Sequence, residues 1–556
     1  MLLGFFLVAI KTFRRRCQFV QLWYHLAYAQ DPSGCEVLVR AKPFGGPENP
    51  ALEQVEKRSW RFANSFSGAT QKVNNNREDS EKRRVTQAVG AVNPEPFRIG
   101  ASTPYDFTSR NLTAYGGLLP IATMLERLGF QSLVEETLTI HRRTRTMPVY
   151  EFVLAMVLAL YVGFARLNHL RFLEREPMLT GILKVIRLPP QSTFWRFLAS
   201  LHLSVAGQML KIQRVLRLRV WEAAHIQLKV VTIDTDTTVH TVFGNQMGGR
   251  KSYNPKNRGK KSFQPILTFL AETREYVSGE LRNGDRPTGA QIARHLEGVF
   301  AGLPPSVETI YARADSGFYC AEAVEAYEKA GVRFIISARK TSRLVDELKA
   351  ADWKRAPQAD ADGQCEFRYQ PDGWGKAHRF IALRYQKKAK PRTAAEPEQY
   401  QLFDTPEYSY RVFVTNIQDA IALLAWFYNQ RAGAENLIKE ANNDAGLAAH
   451  PSGRWAMNCI HFQLAMLAYN LNCWLMLFNR EEEAKATTLG HTTLATTRLK
   501  FLFLAAKIWR HAGRVGVSYS DHYPEQGLFE RLMNRLRTVA ATEKGFAPVI
   551  ATALRC

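Results

Sequence analysis

The run VVTIDTDTTVH, residues 230–240, decides how the chain is read. Val230 to Ile233 are β-branched and of strand type, and the run ends in two carboxylates, Asp234 and Asp236, where a buried strand emerges. A second strand-type run, ETIYARAD (308–315), ends in Asp315, followed by Ser316 and Gly317, which suit a turn or a helix start. The third acid, Glu435, lies in FYNQRAGAENLIKE (427–440), which has helical spacing. At 100° per residue Tyr428, Arg431, Glu435, Lys439 and Asn442 share one face about 80° wide. Gly433 weakens that projection for Tyr428 and Arg431, because glycine costs roughly 1 kcal/mol inside a helix.

Carboxylates brought together in this way suit Mg²⁺ or Mn²⁺, which prefer oxygen ligands. Two such ions roughly 3.5–4 Å apart activate a water and stabilise the leaving oxygen of a phosphodiester. The chain has 51 Asp and Glu, so one carboxylate at one strand end carries little. Three acids in matching contexts read as a two-metal site that cuts DNA.

The charge balance points to the same polyanionic partner. Lys and Arg number 74, the net charge is +23 and the pI about 9.7, which favours DNA through counterion release. No acid stands between Asp236 and Glu272, while Arg250, Lys251, Lys256, Arg258, Lys260 and Lys261 crowd a Gly/Asn-rich loop directly after the first acidic strand. Such a loop can follow a phosphate backbone, with Tyr253 and Phe263 available for stacking. Lys485, Arg498, Lys500, Lys507, Arg510 and Arg514 form a second basic stretch, equally a solvated helix or a DNA contact.

Upstream, EFVLAMVLALYVGFARL (151–167) reads as an apolar helix, and LPPQSTFWRFLASL (188–201) starts another after its prolines, with Ser192 or Thr193 as N-cap. The pair is a helix-turn-helix candidate, with Arg196 near the start of the recognition helix. Plain helical packing is the competing reading.

Beyond these motifs, the sequence resembles the DDE transposases of bacterial insertion sequences, within the insertion sequence 4 superfamily and closest to its 1380-type branch. The likeness runs from about Asn111 to Arg537 through TIDTDTTVHTVFGNQ, YNPKNRGKKSFQPILTFL, LRNGD, RADSGFY, YRVFVTN, FYNQRAGAEN and LAYNLNCWL, in that order. It implies an α/β fold: an RNase H-like catalytic core, a mixed sheet flanked by helices, with a β-rich insertion and a helical N-terminal DNA-binding region. The implied organisation is a helical region over 101–225, core segments over 226–349 and 411–480, an insertion over 350–410 and a helical C-terminal region over 481–556.

The same resemblance implies cut-and-paste chemistry with Asp236, Asp315 and Glu435 as the metal-binding triad. Asp236 is chosen because Thr237 and Thr238 follow it, and Asp234 is the fallback. The family's Tyr, Arg, Glu, Lys signature maps onto Tyr428, Arg431 and Glu435, but its last position is Asn442 here. Arg431 would grip a phosphate through its two-pronged guanidinium and Tyr428 would pack beside the same strand, with Lys439 standing in for the absent lysine. Implied partners are double-stranded DNA, as terminal inverted repeats and target, two Mg²⁺ or Mn²⁺ ions, and a second copy of the chain at synapsis. A decayed DNA-binding relic acting as a repressor, or an RNase H-like nuclease that does not transpose, are the alternatives.

The first 100 residues match none of these blocks. The NNNREDSEKRR run and scattered Pro and Gly suggest disorder or a non-native extension. A membrane protein is not indicated: the uncharged run 152–165 is shorter than the roughly 20 residues a span needs, and polar residues from Asn458 to Asn472 punctuate 455–479. The apolar N-terminus precedes its basic cluster, the reverse of a signal peptide. Seven cysteines form no CxxC pair and no zinc spacing, which fits a reducing cytoplasm.

Overall fold

A computed structural model describes residues 99–140, 147–386, 408–480 and 492–540. The chain divides into two units, Met1–Tyr105 and Asp106–Cys556, and all the acidic motifs lie in the second. The expectation for residues 1–100 falls almost wholly outside the described residues.

The β-branched run forms strand β2 (Val230–Thr237) of a nine-stranded mixed sheet. On one side β2 pairs antiparallel with β6 (Ile266–Leu270), and β6 with β7 (Tyr276–Glu280) at the sheet edge. On the other side it pairs parallel with β8 (Thr309–Ala314), and β8 parallel with β9 (Arg333–Ser337). The 350–410 stretch does contain strands, and they extend the central sheet. β10 (Lys354–Ala356), β11 (Ala361–Tyr369), β12 (His378–Gln386) and β13 (Tyr408–Thr415) continue the same sheet, with β13 hydrogen-bonded antiparallel to β9. The reason is that β9 would otherwise present an open row of backbone donors and acceptors.

Helices cover the sheet. From the N-terminal side come α1 (Leu118–Arg127), α2 (Phe130–Thr137), α3 (Val149–Val162), α4 (Pro177–Ile182), α5 (Gln191–Ala199) and α6 (Ser204–Ala223). After β7 follow α7 (Gly289–Phe300), α8 (Ala321–Lys329) and α9 (Ser342–Ala350); after β13 come α10 (Ile421–Asn429), α11 (Ala432–Asn443) and α12 (Trp455–Phe478). No single helix among the described residues is long and apolar enough to cross a membrane.

The polar residues punctuating α12 serve the sheet edge. Asn470 accepts a hydrogen bond from the Tyr276 backbone N–H at 2.9 Å and donates to the Tyr276 carbonyl at 2.9 Å, so a side chain supplies the partners that β7 lacks. Beside it Glu275, fully buried, accepts from the Arg217, Trp221 and Trp474 side chains. These hydrogen bonds fix α6 and α12 against the edge strand while α12 stays buried from Met457 to Phe478.

The C-terminal region is not wholly helical. After the short α13 (Leu494–Thr497), strands β14 (Ala506–His511) and β15 (Arg514–Tyr519) form a hairpin turned at Ala512 and Gly513, both at positive φ, and α14 (Gln526–Thr538) follows. Two successive positive φ values match the right-handed twist of a tight hairpin. β14 also pairs with β1 (Leu112–Thr113), joining the two ends of the unit. Arg498 closes the end of α3: its guanidinium donates to the Tyr161, Leu160 and Asp444 carbonyls, beside Gly163 at φ 113°. That arginine is structural rather than a DNA contact. Lys507, Arg510 and Arg514 are exposed on the hairpin, and Lys485 lies outside the described residues.

Candidate active site

Residues two apart on a strand face the same side, and Asp234 and Asp236 nevertheless have different neighbours. Asp234 lies opposite Arg313 in the parallel register of β2 and β8 and receives both prongs of its guanidinium, Nε to Oδ1 and Nη2 to Oδ2, each at 2.7 Å. The arginine's remaining Nη1 donates to the Phe427 carbonyl at 3.0 Å, and its plane lies over the Phe427 ring. Both partners are about 95% buried. The fallback ligand is therefore half of a structural ion pair.

The acid one pleat further on is differently served. Asp236 Oδ1 accepts the Thr237 N–H at 2.7 Å, and Oδ2 lies 2.7 Å from Arg431 Nη2. The register that pairs Thr235 with Ala314 brings Asp236 beside Asp315 at the ends of adjacent parallel strands. Asp315 caps the turn Ser316–Phe318 by accepting the Gly317 N–H. Burial pushes the Asp236 carboxyl up to about 7; Arg431 works against this, while the negative charges of Asp315 and Glu435 add to it.

The segment read as one helical face is two helices. α10 ends at Asn429, α11 begins at Ala432, and Arg431 is the N-cap residue between them. The break turns Arg431 inward, 7% exposed, where its Nη2 meets Asp236 and its Nη1 stands 3.5 Å from Glu435. Burial opposes its charge, but the surrounding carboxylates, Asp236 first, leave its pKa raised. Glu435 stays mostly exposed in the first turn of α11. Tyr428 packs on Phe413, with ring centroids 4.6 Å apart, and Lys439 is exposed. Asn442 faces inward: its Oδ1 lies 2.8 Å from His240 Nε2, tying α11 to β3 (His240–Thr241).

Among the described residues no three His, Cys, Asp or Glu side chains are gathered closely enough to hold an ion. The donor chemistry still fits a hard divalent cation. Asp236, Asp315 and Glu435 all offer carboxylate oxygens, they sense one another's charge at Asp236, and the counter-charge between them is a guanidinium, not a hydrophobic wall.

β4 (Arg250–Lys251) and β5 (Lys261–Phe263) pair into a small sheet with β3. All six basic residues from Arg250 to Lys261 are exposed, and Asn254 pins the loop by donating to Thr241 Oγ1. Tyr253 is half exposed under Arg286. Phe263 is not available for stacking: it is fully buried against His450 and Trp455. Trp374 is likewise buried, packed on Tyr319 and His378.

Arg196 is exposed, but α5 starts at Gln191 with Pro190 as its cap, so Arg196 sits in the last turn instead of the first. Arg313 and His240 do not stand out in the sequence as site residues. Arg313 does carry one signal: it precedes Asp315 by two, so the pleat alternation that pairs Asp234 with Asp236 also aligns Arg313 with Asp315.

The family described as Transposase DDE domain group 1 matches residues 100–541. Among solved structures, the piggyBac transposase synaptic complex with hairpin DNA aligns over 80% of this chain and 82% of that one, at 10% identity and a TM-score of 0.36. The pre-cleavage Mos1 transpososome aligns over 35% and 61%, at 12% identity and a TM-score of 0.14. Comparison with curated proteins finds no match. Matched along most of its length, the chain belongs to the DDE transposases, enzymes that cleave DNA and transfer its strands with divalent metal ions.

Proposed function

We propose that this transposase performs cut-and-paste transposition of an insertion sequence of the insertion sequence 4 superfamily, 1380-type, with Asp236, Asp315 and Glu435 as its metal ligands. The observation that carries the proposal is the convergence on Arg431: two aspartates end adjacent parallel strands, and one arginine bonds Asp236 while approaching Glu435. An RNase H-like core is supported by the order β7-β6-β2-β8-β9, antiparallel up to β2 and parallel beyond it.

Two Mg²⁺ ions bound there would supply an activated water and neutralise charge at the phosphodiester. The chain's own residues set the rest. Asp234 and Arg313 hold the β2 and β8 ends in register, Arg431 offers its guanidinium to a phosphate when it leaves Asp236, and the exposed loop from Arg250 to Lys261 follows the backbone of the terminal inverted repeat. Hydrolysis at the element's end frees a 3′-hydroxyl, which then attacks a target phosphodiester, so that a new P–O bond forms as the bond to the target strand's own 3′-oxygen breaks and that oxygen leaves as a hydroxyl. Two copies of the chain act together on two ends, in the bacterial cytoplasm.

Incubation with a labelled fragment carrying the element's own terminal repeat tests this, with Mg²⁺ or EDTA and with Asp315→Ala alongside. Cutting at the repeat boundary that requires both the metal and Asp315 is expected. Binding without cutting under any divalent metal would overturn it in favour of the decayed, repressor-like relic. One observation favours that second reading: Asn442 is committed to His240 and contributes no cation to the site.

A further inference from the structure

The helix that carries Glu435 meets the protein through an apolar face: Ala434, Leu437, Ile438 and Ala441 of α11 are buried. Apolar contact is non-directional, so it sets the rotation of the helix and its position along its own axis only loosely, and the Glu435 carboxylate travels with both. Directed hydrogen bonds have to fix them. At the N-terminal end the link to the acidic strand is Arg431 to Asp236. Metal binding at Asp236 would open that link, because the guanidinium and the ion compete for the same carboxylate.

The other end of α11 carries a second link. Asn442 stands about two turns, roughly 10 Å, beyond Glu435 on nearly the same face, and its Oδ1 lies 2.8 Å from His240 Nε2. An amide oxygen can only accept, so Nε2 carries the hydrogen and donates it. His240 stands just past the end of β2, and its backbone is tied to that of Asp236. The Thr238 N–H donates to the Pro265 carbonyl at 3.1 Å, and His240 pairs with Phe263, so β3 and β5 continue the ribbon of β2 and β6. Glu440 Oε1 accepts the Leu494 N–H at 2.8 Å and the Asp444 carbonyl accepts from Arg498, but those bonds reach α13 and the residue after it rather than the acidic strand.

The imidazole is held for this one bond. His240 is 5% exposed, its ring lies 5.3 Å from the His450 ring, and Phe263 packs edge-on against His450. Its Nδ1 is buried without a hydrogen-bond partner, so no second bond turns the ring away from Asn442. Burial pushes its pKa down to about 4, against the hydrogen bond to Asn442. His450, pushed down to about 3 by burial and then by His240 and His461, brings no charge beside it. A neutral, buried link offers neither a divalent ion nor a phosphate the charge that Asp236 and Arg431 offer, so it persists while the other end of the helix changes partners.

We propose that His240 and Asn442 are positioning residues for the reaction: their hydrogen bond keeps α11 in register on the acidic strand, so that Glu435 reaches the ion held by Asp236 and Asp315 once Arg431 has left. This rests on the reading of Asp236, Asp315 and Glu435 as metal ligands above.

The test is Mn²⁺ binding to the full chain without DNA, read as loss of the free-ion electron paramagnetic resonance signal, with Asp315→Ala defining the binding that belongs to the acidic site. Asn442→Leu keeps the shape of the side chain and removes the acceptor. It is expected to bind Mn²⁺ roughly ten- to a hundredfold more weakly, the scale for losing a group that orients a metal ligand, with its melting temperature in EDTA unchanged. Asn442→Ala, at the same half-buried position, is a second variant with the same expected loss. His240→Gln, which keeps a neutral N–H near the place of Nε2, is expected to retain most of the affinity. Cleavage by the Asn442 variants should recover towards the wild-type rate as Mn²⁺ is raised to saturation. Wild-type Mn²⁺ affinity in folded Asn442→Leu and Asn442→Ala overturns this proposal alone, and so does a fall in affinity that tracks a fall in melting temperature in both, which assigns the bond to general stability. Wild-type binding that is absent, or that Asp315→Ala leaves intact, instead defeats the reading of the metal ligands and this proposal with it.

Discussion

Arg431 Nη2 lies 2.7 Å from Asp236 Oδ2, and the same guanidinium stands 3.5 Å from Glu435. An arginine at the break between two helices thus joins an acid at a strand end to an acid in the next helix turn. In the proposed mechanism, divalent ions held by these carboxylates would release that guanidinium to a phosphate.

Replacing Arg431 by alanine leaves Asp236 buried beside two other acids with no counter-charge. The expected result is a loss of cleavage by roughly 10²–10³, the scale for removing one preorganised donor, with partial recovery in Arg431→Lys, which keeps the charge but not the fork. Single-turnover cleavage of a labelled element end measures it. Near-wild-type rates in Arg431→Ala would show that the arginine plays no part in the reaction.

The raised pKa of Asp236 gives metal binding a direction with pH. Between the ordinary carboxylate range and about 7 the folded protein holds a proton on Asp236 that the unfolded chain has lost, so ionising this group costs folding stability as pH rises through that window. A divalent ion binds only the ionised form. Thermal stabilisation by Mg²⁺ or Mn²⁺ should therefore be larger at pH 8 than at pH 6, and should vanish in Asp236→Asn. An Asp236→Asn protein that keeps the pH-dependent stabilisation would exclude this site as its source.

Asp234 and Asp236 should separate cleanly by phenotype. Asp234→Ala strands the buried Arg313 without its partner, at an expected cost of about 3–5 kcal/mol, read as a lower denaturation midpoint. Asp236→Ala is expected to abolish cleavage while the protein stays folded, since it also removes the repulsion from Asp315 and Glu435. Cleavage by folded Asp236→Ala would transfer the ligand role to Asp234.

Lys256, Arg258 and Lys260 are exposed, so their combined replacement by alanine should leave the melting temperature unchanged. Duplex affinity should fall, and the magnitude of the slope of log K against log salt should drop by about one for each phosphate that the loop no longer neutralises. An unchanged slope would mean that the loop is merely solvated.

Much of the framework was legible in local pattern. β-branched runs at Val230 and Thr309 announced the two strands, and a carboxylate after each announced the acids, because strand identity and strand end are short-range properties. The apolar run that forms α12 is long enough for a membrane span, and in the sequence only its polar residues from Asn458 to Asn472 argued against one. The hairpin at Ala512 and Gly513 carried its own signal in alternating Ile508, Val515 and Val517, which the surrounding basic residues obscured.

What the chain by itself determined, then, is which residues carry charge and where the two acid-bearing strands run. Tertiary structure decided how the charges are shared. Only the parallel register of β2 and β8 commits Asp234 to Arg313 and leaves Asp236 beside Asp315. Only the break at Arg431 carries Glu435 toward the strands, and only the need to cover β9 draws residues 354–415 into the central sheet. Each of these depends on partners far away in sequence, where hydrogen-bond satisfaction and the cost of burying charge select the pairing and no local preference records it.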